Sequence, residues 1–154
     1  MEKQVNTLPG RPMKWHKFLI YFLLWFSAIA NLASGFQAIS GSQYGASANR
    51  VYSNFPGLKT IDIIFGLFVL FIAVFTIVTR FKLAGFKADG PKYLILVYIM
   101  SAAGSIVYIL AVIANTPLTM GDFGSQLIGQ IFGPVIMVAI NRTYYNNRAD
   151  LFIN

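Results

Sequence analysis

The residues able to do chemistry are few, and their spacing does not assemble a catalytic set. The chain has five acidic residues (Glu2, Asp62, Asp89, Asp122 and Asp150), one histidine, His16, and no cysteine. Without cysteine there is no disulfide, thiolate metal site or thiol nucleophile. A zinc site takes three or four ligands. His16 has neither a second histidine nor an acid nearby, and beside Trp15 it reads as a membrane-interface residue. No Ser-His-Asp set, phosphate-cradling glycine loop or paired carboxylates can be drawn from these positions. An enzyme, a metal and a cofactor are therefore not expected. Asp62 is the acid nearest to an apolar segment, one residue inside it. An acid in the first turn of a helix interacts well with the helix dipole, and that is its expected role; contact with a ligand or ion is the alternative. Proton-coupled transporters place an ionisable residue inside the membrane. No acid lies deep in an apolar block here, which counts against a small proton-coupled exporter.

The uncharged polar residues inside the apolar blocks are spaced more regularly. Ser27, Asn31, Ser34 and Ala38 recur at helical intervals, as do Asp62, Gly66, Val69, Ala73 and Thr76. Ser101, Gly104, Ser105 and Tyr108 share a side of a third helix. Gln126, Gln130, Gly133 and Met137 share one of a fourth, overlapping a Gly129-x-x-x-Gly133 pair. Small residues let membrane helices approach closely, and buried amides hydrogen-bond across them. Packing is the expected use of Gly66, Gly104, Gly129 and Gly133. With a rise of about 1.5 Å per residue, Asn31, Ser105 and Gln130 all fall in the outer half of the bundle. Asn31, Ser34, Asp62, Ser105, Tyr108, Gln126 and Gln130 are thus the candidate cluster, as packing glue or as a polar crevice. Pro134 is expected to kink the fourth helix and free a carbonyl near Gln130.

These residues need elements to hold them, and the composition says which. Apolar residues make up 56% of the 154-residue chain and charged residues 11%, against about 25% charged in soluble domains. A bilayer core of about 30 Å takes about 20 apolar residues of helix. Four segments qualify, at 18–39, 61–79, 93–114 and 123–140. The expected fold is all-α, an integral membrane four-helix bundle with short loops. Its net charge of +7 sits outside the spans. Ten of the twelve lysines and arginines lie in the N-terminal segment, the second loop (80–92) and the tail; Arg50 and Lys59 lie in the first loop, and the third loop has none. Excess lysine and arginine marks cytoplasmic loops, so both termini are expected inside. No basic stripe is interleaved with stacking aromatics, so nucleic acid is not an expected partner. The sequon Asn141-Arg142-Thr143 falls on the cytoplasmic side.

The expected organisation is a cytoplasmic segment 1–17, a transmembrane domain 18–141 and an interfacial tail 142–154. Ser27-Ala28-Ile29-Ala30 resembles a signal-peptidase site, but the apolar run continues to Ile39, so the span is expected to stay. The first loop, 40–60, is rich in Ser, Gly and Asn and reads as irregular. In the tail, Tyr144, Tyr145, Arg148, Leu151 and Phe152 have the spacing of one amphipathic helical face.

Several stretches resemble a family: Met13-Lys14-Trp15-His16-Lys17-Phe18-Leu19, Gly41-Ser42-Gln43-Tyr44-Gly45, Pro56-Gly57-Leu58-Lys59, Arg80-Phe81-Lys82-Leu83-Ala84, Gly90-Pro91 and the Tyr144-Tyr145 tail. They are similar to a group of uncharacterised small multi-pass membrane proteins of anaerobic Gram-positive gut bacteria. Some relatives carry a zinc ribbon ahead of Leu8-Pro9-Gly10; this chain has no cysteine to form one. The resemblance implies the architecture and a bacterial inner membrane, and adds no activity. Two functions fit. One is a structural or accessory role through helix faces, with a membrane-protein partner or a second copy. The other is binding or transport of a small molecule or lipid in the polar crevice.

Overall fold

The computed structural model describes residues 12–153. Most of the expected segment 1–17, with Lys3, Arg11 and Leu8-Pro9-Gly10, lies outside the described residues, as does Asn154. Every regular element among the described residues is helical. The first long rod is composite: α1 (Lys14–Phe18), a π-helical turn (Leu19–Leu23) and α2 (Leu24–Ser40). Gly41, at φ 75°, ends it. A side chain is strained in that left-handed conformation, and a Cβ there would also sit 2.7 Å from the Tyr52 ring.

The next stretch was expected to be irregular. It forms a 3-10 segment (Ser42–Ser47) and the short helix α3 (Ala48–Asn54) instead. Pro56 then opens α4 (Pro56–Ala84), at a position where a helix has no use for the missing N–H. α5 (Gly90–Asn115) follows a tight turn, in which Lys82 pairs with Asp89 and holds its carboxyl below the ordinary range. A second 3-10 segment (Met120–Phe123) leads into α6 (Gly124–Asn146). It is fixed by a capping box: the Thr119 N–H and hydroxyl donate to Asp122 Oδ2 at 2.7 and 2.9 Å. Four helices are long and apolar enough to cross a membrane by length and composition.

The helices run past the apolar blocks. Because α4 starts at Pro56, Asp62 lies almost two turns inside it. The expected first-turn partnership with the helix dipole therefore does not hold. Arg80 and Lys82, expected in a loop, are still helical. Arg80 uses that position to donate from Nε to the Ile20 carbonyl in the π turn at 3.1 Å. Such turns interrupt the ordinary α-helical hydrogen-bond ladder.

The long helices pack in sequence order, α2 on α4, α4 on α5 and α5 on α6. α2 and α4 cross through glycines. A Cβ on Gly66 would lie 2.7 Å from the Gly35 carbonyl oxygen and 2.6 Å from Ile39. The end of the bundle that carries the first and last described residues, here the terminal end, holds the main apolar cluster. Leu19, Ile20, Leu24, Leu83, Leu94, Tyr145 and Phe152 are buried there together. Trp15 Nε1 donates to Asn141 Oδ1 at 3.0 Å, tying α1 to α6.

Two further features of this end were not expected. His16 is 2% exposed, enclosed by Phe86, Tyr145 and Phe152 with ring centroids 5.1–6.0 Å away. The π turn and the returning tail bring aromatic partners that residue spacing does not reveal. The tail itself is not one amphipathic helix. α6 stops at Asn146 and only Ala149–Leu151 regains a 3-10 turn. Phe152 folds in against Phe86 and Tyr145 while Leu151 stays exposed. Burying the ring in an aromatic cluster stabilises the turned-back chain over a continued helix.

Candidate functional site

The opposite end of the bundle, the far end, is built differently. On α5, Ser105 and Tyr108 stand on one side, three residues apart in the helix. On α6, Gln126 and Gln130 also share a side, four residues apart. These four side chains line one cavity of about 630 Å³. The chain between α2 and α4 supplies its other wall, with Gln43, Tyr44, Val51 and Phe55. None of the lining residues is charged.

Gln130 marks the deep side of this space. Its Oε1 is buried without a hydrogen-bond partner. A buried acceptor without a donor costs about 1–3 kcal/mol. Its backbone carbonyl is also short of a donor, because the residue four positions on is Pro134 inside α6, which has no N–H.

Behind the cavity wall lies Asp62. It is fully buried, at 0% exposure. Tyr52 donates to its Oδ2 at 3.0 Å and Tyr108 to its Oδ1 at 2.8 Å. The Tyr108 ring stacks on Phe65 with centroids 4.1 Å apart, and Tyr44 meets Tyr52 edge-on at 5.6 Å. Tyr108 therefore has two faces of work: its hydroxyl holds the carboxylate and its ring lines the cavity. Phe65 and Tyr108 also line a second, apolar groove of about 490 Å³ between α4 and α5. Gly104 lets the two helices share that space, since a Cβ there would collide with the Phe68 ring at 2.1 Å.

The other sequence candidates lie elsewhere. Asn31 is half-buried, lines neither cavity, and finds no hydrogen-bond partner among the described residues. Ser34 is exposed, and the buried face of α2 runs through its neighbour Gly35. Gln126 lines the cavity mouth but is itself exposed. Gly66 is in the α2–α4 crossing, whereas Gly129 and Gly133 face open space, with nothing within 4 Å of an added Cβ.

Tyr52, a partner of Asp62, and Tyr44, which meets the Tyr52 ring, were missed. In the sequence they look like aromatic-belt residues of an outer loop. Only the two short helical segments in that loop fold them back over α4. The Trp15–Asn141 bond was missed as well, because it spans almost the whole chain.

Chemically, the far end offers a buried carboxylate held by phenols, a pair of amides and an aromatic-lined space. No three His, Cys, Asp or Glu side chains converge among the described residues. The arrangement is suited to holding a molecule. Compared with protein-family models, curated proteins and solved structures, the chain finds no match.

Proposed function

We propose that the chain is a non-enzymatic, four-span protein of a bacterial cytoplasmic membrane, with both termini inside, that binds a small amphipathic molecule in its far-end crevice. The location is supported by four helices of spanning length and apolar composition. The orientation is supported by the lysines and arginines, ten of twelve of which fall in the N-terminal segment, the second loop and the tail of the sequence. In this orientation the crevice opens toward the outer face.

The observation that carries the binding reading is the cavity of about 630 Å³ with the unpartnered Gln130 Oε1 in its wall. Ligand sites are commonly apolar spaces of about 300–1,000 Å³ with a few placed polar groups. Photolabelling the purified protein with a short diazirine-bearing alcohol tests it. Adducts are expected at Ile109, Val112 and Gln130. An even spread over outward-facing Leu67 and Phe71, with none in the crevice, refutes binding.

A second reading has one observation in its favour. The Gly129–Gly133 face of α6 has open space beside it, and Ile128, Phe132 and Ile136 around it are exposed. Such a face suits a membrane-protein partner or a second copy. Cross-linking between copies through a cysteine at Gly129 would favour that accessory role.

A further inference from the structure

We infer that the crevice selects an organic cation: an onium or protonated amine on an apolar body. This rests on the crevice being a binding site, and three features of the far end point to the charge.

The first is a buried acid with no basic partner. A carboxyl with a phenol on each oxygen can present its acceptor side to both. Asp62 is held this way by Tyr52 and Tyr108. The ion pair among the described residues, Lys82–Asp89, is at the terminal end. Of the charged side chains on surrounding elements, Arg50, Lys59 and Asp122 are all exposed and line no part of the crevice. In a low-dielectric interior the field of such a carboxylate reaches several ångströms further than in water.

The second is the wall. Tyr44, Phe55, Phe65, Tyr108 and Phe123 all line the cavity. Aromatic faces are negative and attract cations, the more so when desolvated. Tyr108 couples the two features. Donating its proton to Asp62 pushes electron density into the ring that faces the cavity. Asp62 is thus a positioning and polarising residue acting through Tyr108, without touching the ligand.

The third is the supply of acceptors. The Gln130 Oε1 lacks a partner, and its carbonyl has lost the donor that Pro134 cannot provide. A protonated amine would satisfy either. An anion would meet the same groups with no basic residue to receive it. The apolar body has room as well, since the groove of about 490 Å³ adjoins the crevice through Phe65 and Tyr108.

The test uses the full chain in an uncharged detergent and three probes of related shape. These are tetraphenylphosphonium, neutral triphenylphosphine oxide and anionic tetraphenylborate. Binding is measured by equilibrium dialysis against protein-free micelles. The expected order is cation over neutral by about tenfold, with the anion weakest. Asp62→Asn should bring the cation-to-neutral ratio toward one, Asp62→Glu should keep it high, and Ser105→Trp should fill the crevice and abolish binding. Equal affinity for cation and neutral probe, or a preference for the borate, overturns the inference and leaves the crevice reading standing. No binding of any probe overturns both. If Asp62→Asn does not fold, the wild-type ratio and that of Tyr108→Phe, expected to lie between wild type and one, decide the matter.

Discussion

The two ends of the molecule are made from similar residues and put to opposite uses. At the terminal end most polar groups are closed in and bonded across elements, although His16 Nε2 and Arg148 Nε are buried without a partner. Trp15 meets Asn141, His16 meets Tyr145, and Arg80 meets the Ile20 carbonyl, all inside or beside an apolar cluster. The tail then folds Phe152 over them. At the far end α6 leans mainly on α5, and the amides of Gln126 and Gln130 border a cavity rather than a partner. One buried group there is fully served, Asp62, and its donors come from a loop helix and from α5. The contrast teaches that polar residues in apolar helices do not announce their use by type. Asn141 is glue and Gln130 borders a space, though both are amides on the same helix. What separates them is whether another helix arrives.

The contrast can be sharpened by substitution, and the largest effect is expected at the terminal end. Phe152→Ala removes a ring that is 6% exposed and packed on three other rings. It should cost about 3 kcal/mol of stability, as other large-to-small changes in packed clusters do. Reversible unfolding in mixed micelles measures it. A loss below about 1 kcal/mol would mean the tail is not part of the core.

A smaller difference separates two asparagines. Asn141 Oδ1 accepts from Trp15 and its Nδ2 donates to the Met137 carbonyl. Asn31 has no partner among the described residues. Asn141→Leu should therefore cost about 0.6–2 kcal/mol, and Asn31→Leu should stay within about 0.5 kcal/mol of the parent. The reverse order, measured in the same micelles, would break the distinction between the ends.

The sequence alone made the four helices and their order legible, because long apolar runs with glycine and proline between them leave few alternatives. The buried face of α4 was legible too: Asp62, Gly66, Val69, Ala73 and Thr76 are all buried. The corresponding face of α2 was read one residue off, at Ser34 in place of Gly35. A glycine carries no signal of polarity, so the serine beside it was taken for the buried position. The candidate crevice was legible in Ser105, Tyr108, Gln126 and Gln130, which share two adjacent helices and a level. Asn31 could not be excluded from it by depth, since depth says nothing of lateral position. The partners of Asp62 were beyond reach for another reason. Tyr52 reaches it, and Tyr44 reaches the Tyr52 ring, through a left-handed glycine and two short helices in what reads as a polar loop. Such segments are fixed by the contacts they make, not by periodicity.

The most direct test of a closed inner end and an open outer crevice uses the absence of native cysteine. Single cysteines at Thr119, Ser105 and Asn141 are exposed in turn to a small, membrane-impermeant methanethiosulfonate in intact cells. Thr119→Cys should react at once, Ser105→Cys more slowly but to completion, and Asn141→Cys not at all, even after the membrane is opened. An inert Ser105→Cys beside a reactive Asn141→Cys would contradict the account.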